Sequence, residues 1–322
     1  MATILSILSS VIAIAALTLL ERKLLAATQL RCGPNNIGLW GILQPIADGL
    51  KLLSKEVQIP HSGYKIIFIA APIWLLLITL ALWTIIPFGH GLIIIDSSWN
   101  TILIIIASTG SIHAIAMTGW AAQANYSILG SLRSTSQLIS YELVFATLIL
   151  ILFNMSQSTE IQLLSWLQTK QALMQPLLIL LPIYIICILA ESNRAPFDLP
   201  EAEAELVAGF NVEHSGMTFA YLFLAEYNNM IVLAQLGTLW FMGSTSTATS
   251  LDTDGTNWLQ PMNQATKSTT ILATMILIRA AYPRYRYDQL LMLGWKVLLP
   301  SLFGALGITL SILSSHQQAP SI

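Results

Sequence analysis

Carboxylates are concentrated in one short part of this sequence. The chain has 16 acidic residues among 322. Seven of them fall between residues 191 and 226, with one base, Arg194, among them. The seven are Glu191, Asp198, Glu201, Glu203, Glu205, Glu213 and Glu226. Clustered carboxylates in a low-dielectric environment interact strongly and titrate as a group, so this stretch has the composition needed to take up and pass on protons.

Local structure explains only part of this pattern. Asp198 and Glu201 have the D-x-x-E spacing of a capping box, and Pro200 suits the first turn of a helix. The acids farther along the chain lie beyond that turn. Glu226 falls inside the apolar run Met217–Met242. An ionisable residue at membrane depth costs a few kcal/mol, so its default interpretation is functional.

A further acid, Glu142, stands apart from this stretch. It follows a polar segment, residues 129–137, and precedes the apolar run Leu143–Phe153 with no base nearby in sequence. We interpret it as a buried carboxylate. The alternative is a surface acid at a helix N-terminus, where the helix dipole favours negative charge.

The elements that position these acids must be membrane helices. The chain is 55% hydrophobic and 9% charged, against about a quarter charged in ordinary soluble domains. Long continuous apolar runs indicate helices rather than barrel strands. We therefore predict an all-α integral membrane protein with about eight transmembrane helices. The predicted spans are Thr3–Leu20, Ile66–Ile86, Trp99–Trp120, Gln137–Phe153, Ala172–Leu189, Met217–Met242, Thr269–Tyr282 and Met292–Ile312.

The basic residues predict the orientation of these spans. Twelve of the 14 lie in connections that face away from the termini, and only Lys170 and Lys267 lie on the side of the termini. The positive-inside rule then places the termini outside. We expect a single membrane domain, 1–322, with inner-side loops at 21–65, 121–136, 190–216 and 279–291 and an outer loop at 243–267.

Two of the inner loops carry patterns of their own. Residues 42–56 place apolar side chains at helical spacing, which predicts an amphipathic helix in the membrane interface or, alternatively, one packed against the other loops. The last inner loop alternates arginines with tyrosines, as in a positive-inside anchor with an aromatic belt. Arg279 lies closer to the apolar run and needs a partner, which we expect from the acidic stretch.

Metal and nucleic-acid sites are not predicted. The cysteines, Cys32 and Cys187, and the five scattered histidines have no ligand spacing. No basic patch with interleaved aromatic residues suggests nucleic acid.

Four blocks resemble the membrane subunit 1 family of proton-pumping NADH–quinone oxidoreductase, respiratory complex I, which includes the bacterial counterparts of that subunit. The resemblance covers essentially the whole chain in order, and His214 stands where tyrosine is usual in the family. The blocks are Glu21-Arg22-Lys23 with Gln29-Leu30-Arg31 and Gly33-Pro34-Asn35; Gln44 to Lys51; Ala190 to Glu213; and Arg279 to Gln289 with Trp295-Lys296.

The resemblance implies a role for particular residues. In the family, Arg22, Asp48 and Arg279 correspond to positions along a ubiquinone tunnel, and Arg194 and Asp198 to residues that order the acidic loop. The acidic route from the quinone site toward the membrane arm corresponds to Glu142, Glu191, Glu201, Glu203, Glu205 and Glu226. The chain alone would hold no complete active site.

The resemblance also implies partners and a location. Ubiquinone would be the substrate, the chain itself would bind no cofactor, and NADH, FMN and iron–sulfur clusters would belong to partner subunits of the hydrophilic arm. Neighbouring small membrane subunits and lipid complete the expected partners. The length and lack of extensions favour the mitochondrial inner membrane, with the termini in the intermembrane space, over a bacterial plasma membrane. Composition leaves a stand-alone ion or proton transporter open as an alternative. The resemblance leaves open the equivalent membrane subunit of a related hydrogenase-type complex with the same fold.

Overall fold

The chain folds into a bundle of helices. The computed structural model describes residues 2–88, 93–156, 158–161, 180–199, 209–242 and 259–318. Within these ranges the regular elements are helices and there is no strand, which confirms the predicted all-α class. The α-helices are α1 (Ala2–Thr28), α2 (Gln44–Ser54), α3 (Lys65–Ala81), α4 (Asn100–Ala122), α5 (Asn125–Ser156), α6 (Leu181–Glu191), α7 (Gly216–Gly237), α8 (Leu259–Ala281), α9 (Tyr287–Met292) and α10 (Leu299–Gln318).

Short non-α turns extend several of these helices. A 3-10 turn, Leu82–Thr84, follows α3, and π-helical turns, Thr238–Met242 and Leu293–Leu298, follow α7 and α9. In the described part of the chain, five helices are long and apolar enough to cross a membrane. They are Thr3–Thr28, Lys65–Thr84, Asn100–Ala122, Asn125–Ser156 and Tyr287–Ser311. The described part of the predicted span Ala172–Leu189 contains the shorter apolar helix α6.

Several helices extend beyond the apolar runs that predict them. α1 continues to Thr28 rather than ending at Leu20, so Glu21 lies on a helix and not in a loop. α5 begins at Asn125, so most of the connection predicted at 121–136 is helical. The physical reason is that apolar composition marks the part of a helix suited to the membrane, whereas backbone hydrogen bonding continues through polar turns outside it.

α5 lies at the centre of the bundle. Its residues Tyr141, Phe145 and Leu148 are fully buried, and α4, α6 and α10 pack around it. Phe145 contacts Tyr184 of α6 and Trp240 beyond α7, with ring centroids 6.3 and 5.7 Å apart. These aromatic contacts fix the relative positions of three helices that carry candidate site residues.

A close backbone approach fixes the polar first half of α5. A Cβ atom on Gly130 would lie 2.7 Å from the Cα atom of Gly209, in the 3-10 turn Gly209–Asn211. Glycine is therefore needed at position 130, because any side chain would push this turn away from α5.

The apolar stripe of α2 is not covered by the described part of the chain. α2 has no buried residue. The side chains of the stripe are all exposed: Ile42, Leu43, Ile46, Leu50 and Leu53. The sequence left open whether this stripe packs against the other loops. The described residues do not show such packing.

Candidate functional site

A buried carboxylate, Glu21, organises the end of the bundle where α1, α6 and α8 meet, which we call the charged end. Glu21 is 5% exposed. Its Oε1 atom accepts hydrogen bonds from Nη1 of Arg194, at 3.1 Å, and from Nη1 of Arg279. Its Oε2 atom accepts a hydrogen bond from the hydroxyl of Tyr227 at 2.7 Å. One carboxylate thus joins α1, α7, α8 and the segment after α6.

Arg194 is held from two sides in this cluster. Its guanidinium carbon lies 4.4 Å from the ring centroid of Tyr227, a cation–π contact. Burial alone lowers the pKa of Arg194, but the negative potential of Tyr227, Glu21 and Glu226 outweighs this effect and raises that pKa above its usual value. Arg194 therefore keeps its positive charge although it is buried, with only 8% of its surface exposed.

Among the described residues, Arg279 has a partner other than the expected one. The sequence suggested an acid from the stretch after α6, but the structure pairs Arg279 with Glu21 on α1. The residue that the stretch contributes is a second base, Arg194, on the same carboxylate. Two bases from distant segments therefore share one acid on α1.

The other two predicted tunnel residues form an ion pair of their own. Nη1 of Arg22 lies 2.6 Å from Oδ2 of Asp48, and Gln44 donates a hydrogen bond to Oδ1 at 3.1 Å. The side chains of Arg22 and Asp48 are 49% and 37% exposed. This pair links α1 to α2, and its exposure means that solvent weakens it relative to the buried Glu21 cluster.

Glu142 and Glu191 approach each other between α5 and the end of α6. Glu142 accepts hydrogen bonds from the hydroxyls of Thr109, at 2.6 Å, and Ser108, at 3.2 Å, both on α4. Glu191 is 8% exposed and interacts electrostatically with Glu142. Glu142 is half-buried and lies within α5, so this geometry fits the interpretation as a buried carboxylate better than that of a surface acid at a helix N-terminus.

A small cavity connects the acid at the end of α6 with the acid on α7. Its volume is about 20 Å³, and Glu191, Asn193, Glu226 and Asn229 contribute to its lining. A cavity of this size has room for about one water molecule where polar groups surround it. Glu191 thus has Glu142 of α5 and Glu226 of α7 as neighbouring carboxylates, and we call these three residues the line of carboxylates.

A side chain that sequence reasoning missed holds the segment after α6 in place. Gln137 of α5 is fully buried, and its Nε2 atom donates hydrogen bonds to the carbonyl oxygens of Ala190, at 2.9 Å, and Phe197, at 3.0 Å. These carbonyls flank Glu191 and Arg194. Gln137 therefore fixes both ends of the turn that carries these two charged residues.

The last loop of the chain packs on the same segment. Nη2 of Arg284 lies 3.4 Å from Oδ2 of Asp198. The Tyr285 amide donates a hydrogen bond to the carbonyl of Pro196 at 3.1 Å. The rings of Tyr285 and Phe197 stack with their centroids 5.5 Å apart. The arginine–tyrosine pattern, interpreted from sequence as an anchor, thus also holds the segment around Asp198. Three of the predicted acids, Glu201, Glu203 and Glu205, lie outside the described residues.

Glu21, Tyr227 and Gln137 were absent from the predicted site. Glu21 follows an apolar run and precedes two bases, which is the ordinary composition of a helix end at a membrane surface. The position of Glu21 at the end of that apolar run was the signal that could have identified it as a site residue. Among the described residues no group of three or more histidine, cysteine or acidic side chains could hold a metal ion.

The geometry defines a helical membrane protein with buried ion pairs and a line of carboxylates at one end. Residues 1–310 match the family model described as NADH dehydrogenase. The chain belongs to this family.

Curated relatives agree over nearly the full length. The chain is 43% identical to NADH-ubiquinone oxidoreductase chain 1 of Chondrus crispus, over 91% of this chain and 90% of the relative. It is 42% identical to NADH-ubiquinone oxidoreductase chain 1 of Cyanidium caldarium, over 98% of this chain and 91% of the relative. A bacterial relative, an NADH-quinone oxidoreductase subunit of Rhodospirillum centenum, is 44% identical, over 90% of this chain and 86% of the relative.

Proposed function

We propose that this chain is the membrane subunit of a proton-pumping NADH–ubiquinone oxidoreductase that forms the quinone tunnel with the hydrophilic arm and couples quinone reduction to proton translocation. Family membership over residues 1–310 and the names of the relatives support the subunit assignment. The observation that supports the coupling role is the line of carboxylates Glu142, Glu191 and Glu226, of which Glu226 interacts electrostatically with Arg194 at the charged end.

The tunnel role is assigned to residues around the end of α1. Arg22 and Asp48 pair across α1 and α2, and the neighbouring Glu21 pairs with Arg279. Arg279 is about one-third exposed, so one side of its guanidinium is accessible to a bound molecule. In this proposal, a quinone beside these groups changes their electrostatic environment when it takes up two electrons and two protons.

The coupling role follows from the electrostatics of closely placed acids. Neighbouring carboxylates disfavour each other's ionisation, so a charge change at one alters the protonation of the next. Each pKa unit of such a shift corresponds to about 1.4 kcal/mol. Glu201, Glu203 and Glu205 are proposed to continue this acidic route, while Arg194 and Asp198 order the segment that carries it.

Placement in the membrane belongs to the same proposal. The chain would span the mitochondrial inner membrane eight times as one domain, with the termini in the intermembrane space. α2 would lie in the matrix-side interface, which is supported by its exposed apolar stripe. Ubiquinone is the proposed substrate, with NADH, FMN and the iron–sulfur clusters bound by partner subunits.

The tunnel role is tested with the assembled complex. Arg279→Ala should weaken the binding of a quinone-site inhibitor, whereas Arg286→Ala should not, because the side chain of Arg286 is 80% exposed and forms an ion pair with Asp288, two residues further on. Inhibitor titration of NADH–quinone reductase activity measures both. An inhibitor titration of Arg279→Ala that matches that of the wild type would contradict the tunnel role of Arg279. Purification of the chain as an active transporter without other subunits would overturn the proposal as a whole.

A further inference from the structure

Asn193, in the turn after α6, has a buried polar atom that the described residues leave without a hydrogen bond. Only 5% of the residue is exposed. Its Oδ1 atom is buried, and no donor among the described residues bonds to it. A buried acceptor without a partner costs about 1–3 kcal/mol, and buried acceptors in proteins nearly always bond to protein or to ordered water. The side chain of Asn193 therefore needs a donor from the space that it lines.

The backbone of Asn193 explains which residues fit this position. Its φ is +48°, in the left-handed region where a helix most often ends on glycine and sometimes on asparagine. The amides of Asn193 and Arg194 donate hydrogen bonds to the carbonyls of Ala190, at 3.3 Å, and Leu189, at 3.1 Å. These are the two hydrogen bonds of a Schellman motif. Glycine would form the same motif, so the turn itself makes no use of the amide group of Asn193.

Asn193 lines the small cavity that also borders Glu191 and Glu226. The volume of about 20 Å³ has room for about one water molecule where polar groups surround it. Two hydroxyls add to the polar lining, those of Thr79 on α3 and Ser111 on α4. Each donates its proton to a carbonyl of its own helix, so each oxygen is left to accept a hydrogen bond. A molecule in this cavity is therefore surrounded by acceptors and has to supply hydrogens, as water does.

We propose that Asn193 positions one water molecule in this cavity and that this water passes protons between Glu191 and Glu226. The inference rests on the proposed coupling function and adds a positioning residue to it. One O–H of the water donates to Oδ1 of Asn193 and takes no part in the transfer. The water oxygen accepts the proton of the carboxyl on one side, while its other O–H gives a proton to the carboxylate on the other side. Each transfer thus regenerates the water, and the bond to Asn193 keeps it oriented for the next.

Asn193→Gly in the assembled complex tests this role, because it removes the amide and keeps the turn. We expect normal assembly and thermal stability. Quinone reductase turnover and proton uptake in proteoliposomes should fall several-fold, and the solvent deuterium isotope effect on turnover should increase, because proton transfer then limits the rate. Gln123→Gly is the matched control. Gln123 also has a left-handed backbone, with φ +55° at the end of α4, but its side chain is exposed, so this variant should behave as the wild type.

A high-resolution map of the wild-type complex gives a second test. It should show one water within hydrogen-bond distance of Asn193, Glu191 and Glu226. A map without this water would overturn the proposal even if Asn193→Gly fails to assemble, and so would wild-type turnover and coupling in Asn193→Gly.

The variant Glu191→Gln separates this inference from the function on which it rests. If Glu191→Gln loses coupled activity while Asn193→Gly keeps it, the acids work without a water held by Asn193, and only the inference fails. If both variants keep full coupled activity, the coupling function proposed for these acids fails as well. Loss of coupled activity in both variants, with the water present in the wild type, supports the inference.

Discussion

Oε1 of Glu21 on α1 lies 3.1 Å from Nη1 of Arg194, a residue 173 positions away in the chain. Both side chains are at least nine-tenths buried, and Arg279 pairs with the same carboxylate oxygen. This arrangement links the first helix to the two segments that carry the candidate tunnel and coupling residues. The charges at this end of the bundle are therefore fixed relative to each other before any substrate binds.

We expect Glu21→Gln to destabilise the complex strongly. It leaves two guanidinium groups next to an uncharged amide, and removal of one partner from a buried ion pair costs about 3–5 kcal/mol. The matched control is Asp48→Asn, which breaks the partly exposed Arg22–Asp48 pair and should cost less than about 1 kcal/mol. Thermal unfolding of the purified complexes measures both, and equal losses would contradict the importance of the buried cluster.

Gln137→Leu should loosen the segment between Ala190 and Phe197. The substitution keeps the volume but removes both hydrogen bonds that close the turn. The Arg194 amide donates a hydrogen bond to the carbonyl of Leu189, and the Phe197 amide donates one to the carbonyl of Arg194. Hydrogen exchange at both amides should become faster, because local opening is easier. Gln58→Leu, at an exposed position, is the control. Unchanged exchange in Gln137→Leu would show that the turn holds without this side chain.

Gly130→Ala should disturb the packing of α5. The added methyl group would lie 2.7 Å from the Cα atom of Gly209, and forced overpacking costs about 1–3 kcal/mol. Gly304→Ala in α10 is the matched control, because no atom of the described residues lies within 4 Å of its added Cβ. Thermal stability and yield of the assembled complex should fall for the first variant only. If both variants behave alike, the close approach of the two backbones is not required.

His214 should make the fold sensitive to acid. Its ring stacks on Phe68 with centroids 4.1 Å apart, and burial lowers its pKa to about 4. The unfolded chain has the ordinary pKa of about 6.5. The stabilisation of the fold that comes from a neutral His214 is therefore complete above pH 6.5. It is lost progressively as the pH falls toward 4, by about 3 kcal/mol in total.

The variant His214→Phe tests this sensitivity. Phenylalanine keeps the stacking on Phe68 but has no proton to bind, so the stability of the variant should fall less between pH 7 and pH 4.5 than that of the wild type. Thermal unfolding across this range gives the comparison. Parallel pH profiles for the two proteins would show that His214 is not the group responsible.

The all-α class was predictable from sequence, because a long apolar run in a membrane must satisfy its backbone hydrogen bonds within a helix. The ends of the helices were not, since polar turns continue the hydrogen bonding of α1 and α5 past the apolar runs. Among the candidate site residues, Glu142 was chosen because an acid next to an apolar run is costly at membrane depth. Its partners, Ser108 and Thr109, are hydroxyl residues on another helix that no local pattern connects with it.

The partners of Glu21 could not be predicted for a related reason. They lie 173, 206 and 258 residues away in sequence, and a single sequence carries no periodic signal at such separations. The residues Arg22 and Asp48 were both chosen through the family resemblance, but their direct pairing needed the fold of α2 beside α1. Gln137 was not recognised, because an uncharged amide among serines and threonines looks like part of a solvated connection.

The most direct test of the coupling proposal is Glu142→Gln. The amide keeps the size of the side chain and can still accept hydrogen bonds from Ser108 and Thr109, but it carries no titratable proton. Quinone reductase turnover and proton uptake are measured together in proteoliposomes, with Glu160→Gln, at an exposed position, as the control. We expect Glu142→Gln to assemble normally with reduced turnover and fewer protons moved per electron pair. Full and fully coupled activity in this variant would contradict the account.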